Sequence, residues 1–146
     1  NALLQPTVNN GVYRCGFART QSAYNQACNE LFDALEHANQ SLSHKGPWLC
    51  GNRLTLADIR LFPTLIRWEM ICMPLFNCSK QPLWSFPHLW EWRQNFLAIP
   101  SIADTCDSRS WRHDYFGALF PLRPNNIVPN GPDLVKMVNA KAPQLQ

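Results

Sequence analysis

Apolar residues recur every three or four positions between Thr20 and Ser43, which is the spacing of one face of an α-helix. That face carries Tyr24, Ala27, Cys28, Leu31, Leu35, Ala38 and Leu42. Gly46 and Pro47 follow and predict the end of the helix, because glycine tolerates a left-handed cap and proline cannot continue the hydrogen-bond ladder. The pattern therefore predicts one long amphipathic helix.

A second helix is predicted to begin at Thr55. Thr55 and Asp58 have the spacing of a capping box, so we interpret both residues as structural. Leu54 and Ile59 would form the accompanying hydrophobic staple. Pro63 is predicted to kink the helix, because it lacks an N–H and crowds a preceding carbonyl. The buried stripe of this helix is predicted to consist of Ile59, Phe62, Ile66 and Met70.

Prolines organise the region that follows. Pro74 and Pro82 predict a connection over residues 74–85, and Pro87 suits the first turn of a further helix. That third helix is predicted to end before Pro100. Its apolar face consists of Leu89, Trp92, Phe96 and Leu97.

The two ends of the chain differ from its middle. Ser101 and Asp104 repeat the Ser/Thr-x-x-Asp spacing and predict the start of a last helix that runs towards Tyr115. Five prolines beyond Gly117 predict an extended, Pro-rich tail over 117–146. The first ten residues are mostly polar and predict no regular structure. Strand-type alternation is weak throughout, so the predicted fold class is all-α.

The composition excludes several classes of protein. With 146 residues, 46% of them hydrophobic, the chain can bury a core, so one globular domain is predicted. The net charge of +3 includes no adjacent Lys or Arg residues, which predicts a solvated surface without a nucleic-acid interface. No apolar run approaches the ~18–20 residues of a membrane span. The first residues include no secretory signal, so we expect a cytoplasmic protein. They also include no initiator Met, so we expect that the sequence begins within a longer chain.

The cysteines and histidines predict no metal site. Six cysteines and four histidines are present, but no two cysteines have the CxxC spacing of a zinc finger. The even number of cysteines allows three disulfide bonds. Reduced, mostly buried thiols are the favoured interpretation, because Cys28 lies on the apolar stripe of the first helix and a chain of this size does not need disulfides to be stable.

The phrase from Trp48 to Asp58, which ends in Leu-Thr-Leu-Ala-Asp, resembles the segment that opens the core helix of the glutathione transferase C-terminal domain. Four further segments resemble the glutathionyl-hydroquinone reductases, also called xi-class glutathione transferases: residues 9–18, 58–68, 114–117 and 126–132. The resemblance implies a glutathione transferase-like helical bundle.

This resemblance also implies a division of the chain. Residues 1–19 would enter from an N-terminal thioredoxin-like domain that the sequence does not include. Residues 20–116 would form the helical domain, and residues 117–146 would form the tail. The implied partners are that thioredoxin-like domain and a second copy of the chain in a homodimer.

In the family that the chain resembles, the thioredoxin-like domain holds glutathione, which is the co-substrate, and a nucleophilic cysteine in a Cys-Pro motif. The helical domain supplies the wall for an aromatic quinone or hydroquinone substrate. No cysteine of this chain precedes a proline. We therefore expect no catalytic residue in this chain, and no activity from the chain alone.

The resemblance implies that the Tyr13 and Tyr115 hydroxyls face the hydroquinone, the alternative being aromatic packing. Cys72 lies where the family more often has a pocket-lining tyrosine, and a core role is its alternative. Trp68, near the predicted kink, is a further candidate for the substrate wall or for the core. Arg14 is a candidate contact for glutathione.

Two arginines of the second helix are separated by two helical turns. Arg60 and Arg67 would lie on one face, for which a solvated surface is favoured over anion binding.

Two other functions stay open at this point. A stand-alone interaction module of the glutathione transferase type would need no catalytic thiol. A conjugating glutathione transferase would use a Ser or Tyr of the N-terminal domain to activate the glutathione thiol.

Overall fold

The computed structural model describes residues 4–118, 122, 125–133 and 136. Within these residues there are six α-helices and no strand. The helices are α1 (Asn10–Gly16), α2 (Gln21–Lys45), α3 (Leu56–Ile66), α4 (Met73–Phe76), α5 (Pro87–Leu97) and α6 (Ser108–Ala118). Two π-helical turns, Gln5–Asn9 and Trp68–Cys72, precede α1 and α4, and single 3₁₀ turns cover Leu83–Ser85 and Ala103–Thr105. The all-α prediction is confirmed.

Helix α2 agrees with its sequence pattern. The Thr20 hydroxyl caps its start by accepting from the Ala23 amide at 3.2 Å. The helix ends at Lys45, and Gly46 follows with a φ of 116°, a conformation that favours glycine. Its buried face also includes Asn39, whose side-chain oxygen accepts from the His88 and Leu89 amides at the start of α5. The side chain of Asn39 in α2 thus accepts from two amides in the first turn of α5, which have no acceptor within their own helix.

Helix α3 begins with the predicted capping box. The Asp58 carboxylate accepts from the Thr55 amide and the Thr55 hydroxyl, both at 2.8 Å. Its other oxygen accepts from the Leu49 amide and the Trp92 indole N–H, both at 2.9 Å. Because Asp58 is fully buried, these four bonds replace its hydration and join α3 to the preceding loop and to α5.

The burial predicted for Ile59 is wrong. Ile59 is 50% exposed, and Leu54, its partner in the predicted staple, is 41% exposed. The remainder of the predicted stripe is buried, as Phe62, Ile66 and Met70 are at most 7% exposed. Leu54 and Ile59, together with Leu56, instead form an exposed apolar patch at the start of α3.

Three further predictions need correction. Ser101 does not cap an α-helix. Its φ is 67°, and a 3₁₀ turn at Ala103–Thr105 stands where the helix was predicted to begin. Helix α6 starts later, where the Asp107 carboxylate accepts from the Arg109 and Ser110 amides. The opening segment is helical from Gln5 onward. Short helical turns also lie within the predicted connection over 74–85.

The core is aromatic and includes one buried ion pair. The rings of Phe62 and Phe96 stack with their centroids 4.1 Å apart, which joins α3 to α5. The Arg93 guanidinium, 1% exposed, donates to Glu69 at 2.7 Å and to the Leu65 carbonyl at 3.0 Å. These contacts link α5 to the segment that connects α3 with α4.

The described residues contain neither a helix that could span a membrane nor a cluster of metal-binding side chains. None of the helices there is both long and apolar enough to cross a membrane. In that same part of the chain, no three His, Cys, Asp or Glu side chains converge on a point that could hold a metal ion. Most of the predicted tail lies outside the described residues, and residues 125–133 contain neither helix nor strand.

Candidate functional site

Two tyrosines that are 102 residues apart in sequence meet at the surface. The Tyr13 hydroxyl from α1 and the Tyr115 hydroxyl from α6 lie 3.1 Å apart and share a hydrogen bond. Both rings contact the buried ring of Phe76, with centroid distances of 5.0 Å for Tyr13 and 6.1 Å for Tyr115. The fold therefore brings together the two tyrosines that the resemblance identifies.

The position of Tyr13 depends on a close approach of α1 to α4. A Cβ atom added to Gly16 would lie 2.3 Å from the Phe76 ring and 3.0 Å from the Phe76 Cα. Only glycine fits this contact without displacing Phe76. Gly16 thus allows Phe76 to pack beneath Tyr13.

A small cavity of about 30 Å³ lies beside the tyrosine pair. Both tyrosines also line an open recess of about 270 Å³, together with Asp114 and Ala118. We call the cavity and the recess together the tyrosine cleft. Besides the tyrosines, the residues that line the cavity include Asn9, Thr64, Arg67 and Cys72.

The tyrosine pair can act as a hydrogen-bond donor. Burial and the hydrogen bond to Tyr115 raise the pKa of Tyr13 to about 12, so its hydroxyl is protonated at neutral pH. One hydroxyl hydrogen is used between the two oxygens, which leaves the other free to donate outwards. The pair can therefore donate to an oxygen atom of a ligand that enters the cleft.

Cys72 lies on the wall of the cavity. Its thiol donates to the Thr64 carbonyl at 3.7 Å, and it is 4% exposed. Burial raises the pKa of this thiol well above its usual range. Cys72 is thus a protonated wall residue of the cleft and is not poised as a nucleophile.

Trp68 and Arg14 lie away from the cleft. Trp68 is fully buried, and its ring packs edge-on against Phe32 at 5.8 Å, so the core alternative holds for it. Arg14 forms an exposed ion pair with Glu30 of α2 at 2.6 Å. Thr55 and Asp58 have the structural role predicted for them.

Arg67 lines the cavity, although sequence periodicity favoured a solvated position. Its guanidinium lies over the Trp111 ring at 4.6 Å and donates to the Pro63 carbonyl at 3.2 Å. The chain forms a π-helical turn here, in which the Cys72 amide donates to the Arg67 carbonyl. Arg67 ends α3 and is partly exposed, and its contact with Trp111 of α6 is a long-range one that helical spacing within α3 does not report.

Asn9 and Thr64 were also missed by sequence reasoning. The Thr64 hydroxyl donates to the Asn9 side-chain oxygen at 2.8 Å, and the Asn9 side-chain nitrogen donates to the Arg60 carbonyl at 3.0 Å. These bonds tie the π-helical turn before α1 to α3. Because the partners are more than 50 residues apart, no local pattern signals them.

Comparison with known proteins identifies the relatives of this fold. Glutathionyl-hydroquinone reductase PcpF of Sphingobium chlorophenolicum is 41% identical over 132 residues, which are 90% of this chain and 42% of PcpF. Glutathionyl-hydroquinone reductase YqjG of Escherichia coli K12 is 36% identical over 90% of this chain and 40% of its own length. The chain thus spans about two fifths of the length of these curated relatives.

Solved structures of two relatives superpose closely. The glutathione-bound structure of E. coli YqjG gives a TM-score of 0.87 at 36% identity, over 92% of this chain and 44% of that one. Glutathione S-transferase Xi from Phanerochaete chrysosporium gives 0.85 at 36% identity, over 90% and 45% of the two chains. The profile of the glutathione S-transferase C-terminal domain matches residues 21–95, about half of the chain. The chain therefore belongs to the glutathione S-transferase C-terminal domain family.

Proposed function

We propose that this chain is the substrate-binding helical part of a glutathione transferase that reduces glutathionyl-hydroquinones to hydroquinones. The observation that carries the proposal is the Tyr13–Tyr115 pair, whose hydroxyls lie 3.1 Å apart on an open recess. A hydroquinone presents phenolic oxygens that accept hydrogen bonds from such a pair. The names of PcpF and YqjG, both glutathionyl-hydroquinone reductases, support the choice of substrate.

In the proposed reaction, a cysteine thiolate attacks the sulfur that joins glutathione to the ring. The ring–sulfur bond breaks, a mixed disulfide forms, and the bonding electrons return to the ring, which takes up a proton. A second glutathione then releases the enzyme thiol and leaves as oxidised glutathione. The resemblance assigns the thiolate to the thioredoxin-like domain.

The contribution of this chain is hydrogen bonding to the substrate. Because the pKa of Tyr13 is raised to about 12, its hydroxyl stays protonated at physiological pH, and the pair can donate a hydrogen bond to a phenolic oxygen. Such donors stabilise negative charge that develops on those oxygens as the ring–sulfur bond breaks. The rings of Tyr13 and Phe76 supply an aromatic wall for the substrate ring.

The buried thiols of this chain do not suit the attacking role. Burial raises the pKa values of Cys28 and Cys72, and the hydrogen bond with Cys15 together with burial raises that of Cys78. The hydrogen bond with Cys78 lowers the pKa of Cys15, but this thiol is 1% exposed and has no access to a substrate. A nucleophilic cysteine needs a lowered pKa and access to the substrate. The nucleophile is therefore proposed to come from outside this chain.

The proposed contact surface for the thioredoxin-like domain is the exposed apolar patch of Leu54, Leu56 and Ile59. These side chains are 41–51% exposed, and a domain docked at the start of α3 would remove their apolar surface from water. Pro63, further along α3, lines the tyrosine cleft, so a domain docked on the patch would also border the cleft. This arrangement would bring the thiolate to the substrate.

Other parts of the proposal rest on the resemblance alone. They are the extent of the helical domain, 20–116, its pairing as a homodimer and its cytoplasmic location.

A chimera tests the proposed function. The part of PcpF that matches this chain is replaced by this chain, and hydroquinone release from a glutathionyl-hydroquinone is measured with glutathione present. We expect release by the chimera, and no release when the cysteine of the Cys-Pro motif that the resemblance implies in the thioredoxin-like domain is changed to serine. A folded chimera that releases no hydroquinone would contradict the proposal. If such a chimera instead conjugated glutathione to an aromatic electrophile, the alternative of a conjugating transferase would replace it.

A further inference from the structure

Arg67 brings a positive charge to the wall of the tyrosine cleft. Ion pairs among the described residues are Arg14–Glu30, Arg93–Glu69 and His113–Asp114. In that part of the chain, Arg67 therefore has no carboxylate partner, and its buried Nε has no hydrogen-bond partner. The contacts that hold Arg67 are the Trp111 ring and the Pro63 carbonyl, neither of which neutralises its charge.

The charge of Arg67 acts on the groups that line the cleft. Burial raises the pKa values of Tyr13 and Cys72, and at Cys72 the Glu69 carboxylate raises the pKa further; the Arg67 guanidinium opposes these causes at both positions. Because Arg67 lines the cavity together with Tyr13 and Cys72, the field of its guanidinium also acts on a ligand there. The effect is stronger beside buried groups than in bulk water, because the surrounding dielectric constant is lower.

We propose that Arg67 is the specificity-determining residue of the tyrosine cleft, and that the cleft prefers aromatic ligands with an anionic oxygen to their neutral isosteres. The suitable oxygens belong to a ring carboxylate or a phenolate, which a planar guanidinium binds with charge-assisted hydrogen bonds. The proposal deepens the proposed function and rests on it in taking the cleft as the substrate site.

The shape of the cleft fixes how such a ligand is oriented. The recess of about 270 Å³ can take the ring, whereas the cavity of about 30 Å³ has room only for a small substituent. Arg67 lines the cavity, and Asp114 lines the recess. The anionic group therefore points inward to Arg67, because Asp114 repels it at the outer end.

Arg60 provides the matched control. It lies on α3 two helical turns before Arg67, it is exposed, and it does not line the cleft. Arg67→Gln removes the charge in the cleft, and Arg67→Lys keeps it without the planar guanidinium. Arg60→Gln removes the same charge from the same helix outside the cleft.

The experiment measures how tightly the full chain binds two probes, 2,5-dihydroxybenzoate and the neutral 2,5-dihydroxybenzamide, by quenching of tryptophan fluorescence. We expect the chain to bind the anion about 10-fold more tightly than the amide. Arg67→Gln should bring the two affinities within about 2-fold, and Arg67→Lys should keep an intermediate preference. Arg60→Gln should leave the preference unchanged. Circular dichroism checks that each variant is folded.

Three results would overturn the proposal: equal or absent binding of the two probes by the unsubstituted chain, an anion preference that survives Arg67→Gln, or an equal loss in Arg60→Gln. The chimera described above separates this failure from that of the proposed function. Hydroquinone release without an anion preference would overturn the role of Arg67 alone. An anion preference that depends on Arg67, without hydroquinone release, would overturn the reductase function alone.

Discussion

Arg93 and Arg67 occupy similar local settings but differ in how their charges are balanced. Each guanidinium lies over a tryptophan ring, at 4.4 Å for Arg93 and 4.6 Å for Arg67, and each donates to a main-chain carbonyl. Arg93 also pairs with the Glu69 carboxylate at 2.7 Å and is buried. Arg67 has no such partner among the described residues and lines an open cleft.

This difference indicates that Arg93 stabilises the fold, whereas Arg67 is available to bind a ligand. Asp58 resembles Arg93, because it is buried and all four of its hydrogen bonds are made within the chain. Burial closes both groups to a ligand, although the Arg93 Nη2 has no hydrogen-bond partner, and removing either group destabilises the fold. The tyrosine pair and Arg67 have donors that remain free. The comparison therefore predicts large stability losses in the interior and small ones in the cleft.

Asp58→Ala tests the interior with the largest expected effect. It should lower the free energy of unfolding by about 4 kcal/mol, because the Leu49 amide, the Thr55 amide and the Trp92 indole lose their acceptor. Urea unfolding followed by tryptophan fluorescence measures the loss. The exposed Asp104 gives the control substitution, Asp104→Ala, which should change stability by less than about 0.5 kcal/mol. Equal effects of the two substitutions would show that Asp58 is not a structural centre.

Arg93→Met should have the next largest effect. It should lower the free energy of unfolding by about 3 kcal/mol, because Glu69 is left buried and without its cation. The same unfolding measurement applies. Adding Glu69→Met to Arg93→Met should restore part of the loss, since the unpaired charge is then removed. A double variant less stable by the sum of the two single losses would contradict a coupled pair.

Arg67→Met makes in the cleft the substitution that Arg93→Met makes in the core. It should lower the free energy of unfolding by less than about 1 kcal/mol, because it removes a cation–π contact and leaves no buried carboxylate unpaired. Unfolding of the Arg67 and Arg93 variants side by side compares the two arginines directly. If Arg67→Met were as destabilising as Arg93→Met, the distinction between a binding cation and a structural one would fail.

The pH dependence of Tyr13 is the smallest effect. Its pKa in the folded chain is about 12, above the value near 10 of an unfolded tyrosine. Its contribution to stability is therefore fully present below pH 10 and is lost as the pH rises from about 10 to about 12. In a titration of tyrosinate absorbance, Tyr115→Phe should lower the pKa of Tyr13 but leave it above 10, because burial is the larger cause. A Tyr13 pKa near 10 in the unsubstituted chain would contradict the buried hydrogen-bonded pair.

Short-range chemistry made much of the fold predictable from the sequence. Helix α2 follows from apolar spacing and from its Thr20 cap, and the start of α3 follows from Thr55 and Asp58, three residues apart. The burial predicted for Ile59 failed for a physical reason. Sequence spacing shows which apolar residues share a helix face, but not whether the rest of the chain covers them.

The candidate site was less predictable, because long-range contacts build it. Resemblance to a family suggested Tyr13 and Tyr115, whereas nothing in the local pattern indicates that residues 102 positions apart share a hydrogen bond. For Arg67 the sequence favoured a solvated surface over anion binding, because its contact with Trp111 of another helix is not visible in helical spacing. Trp68 had both the substrate wall and the core as alternatives, and it lies in the core.

The most direct test of the central claim is the rate of hydroquinone release by the PcpF chimera with Tyr13→Phe. This substitution keeps the aromatic wall and removes one hydroxyl of the pair. We expect release to fall about 100-fold, as when a donor to a developing negative charge is lost. Tyr24→Phe is the control, because the Tyr24 hydroxyl donates to the Asn77 carbonyl and does not line the cleft. Equal rates for the Tyr13→Phe chimera and the unsubstituted chimera would contradict the claim that the tyrosine pair binds the substrate oxygens.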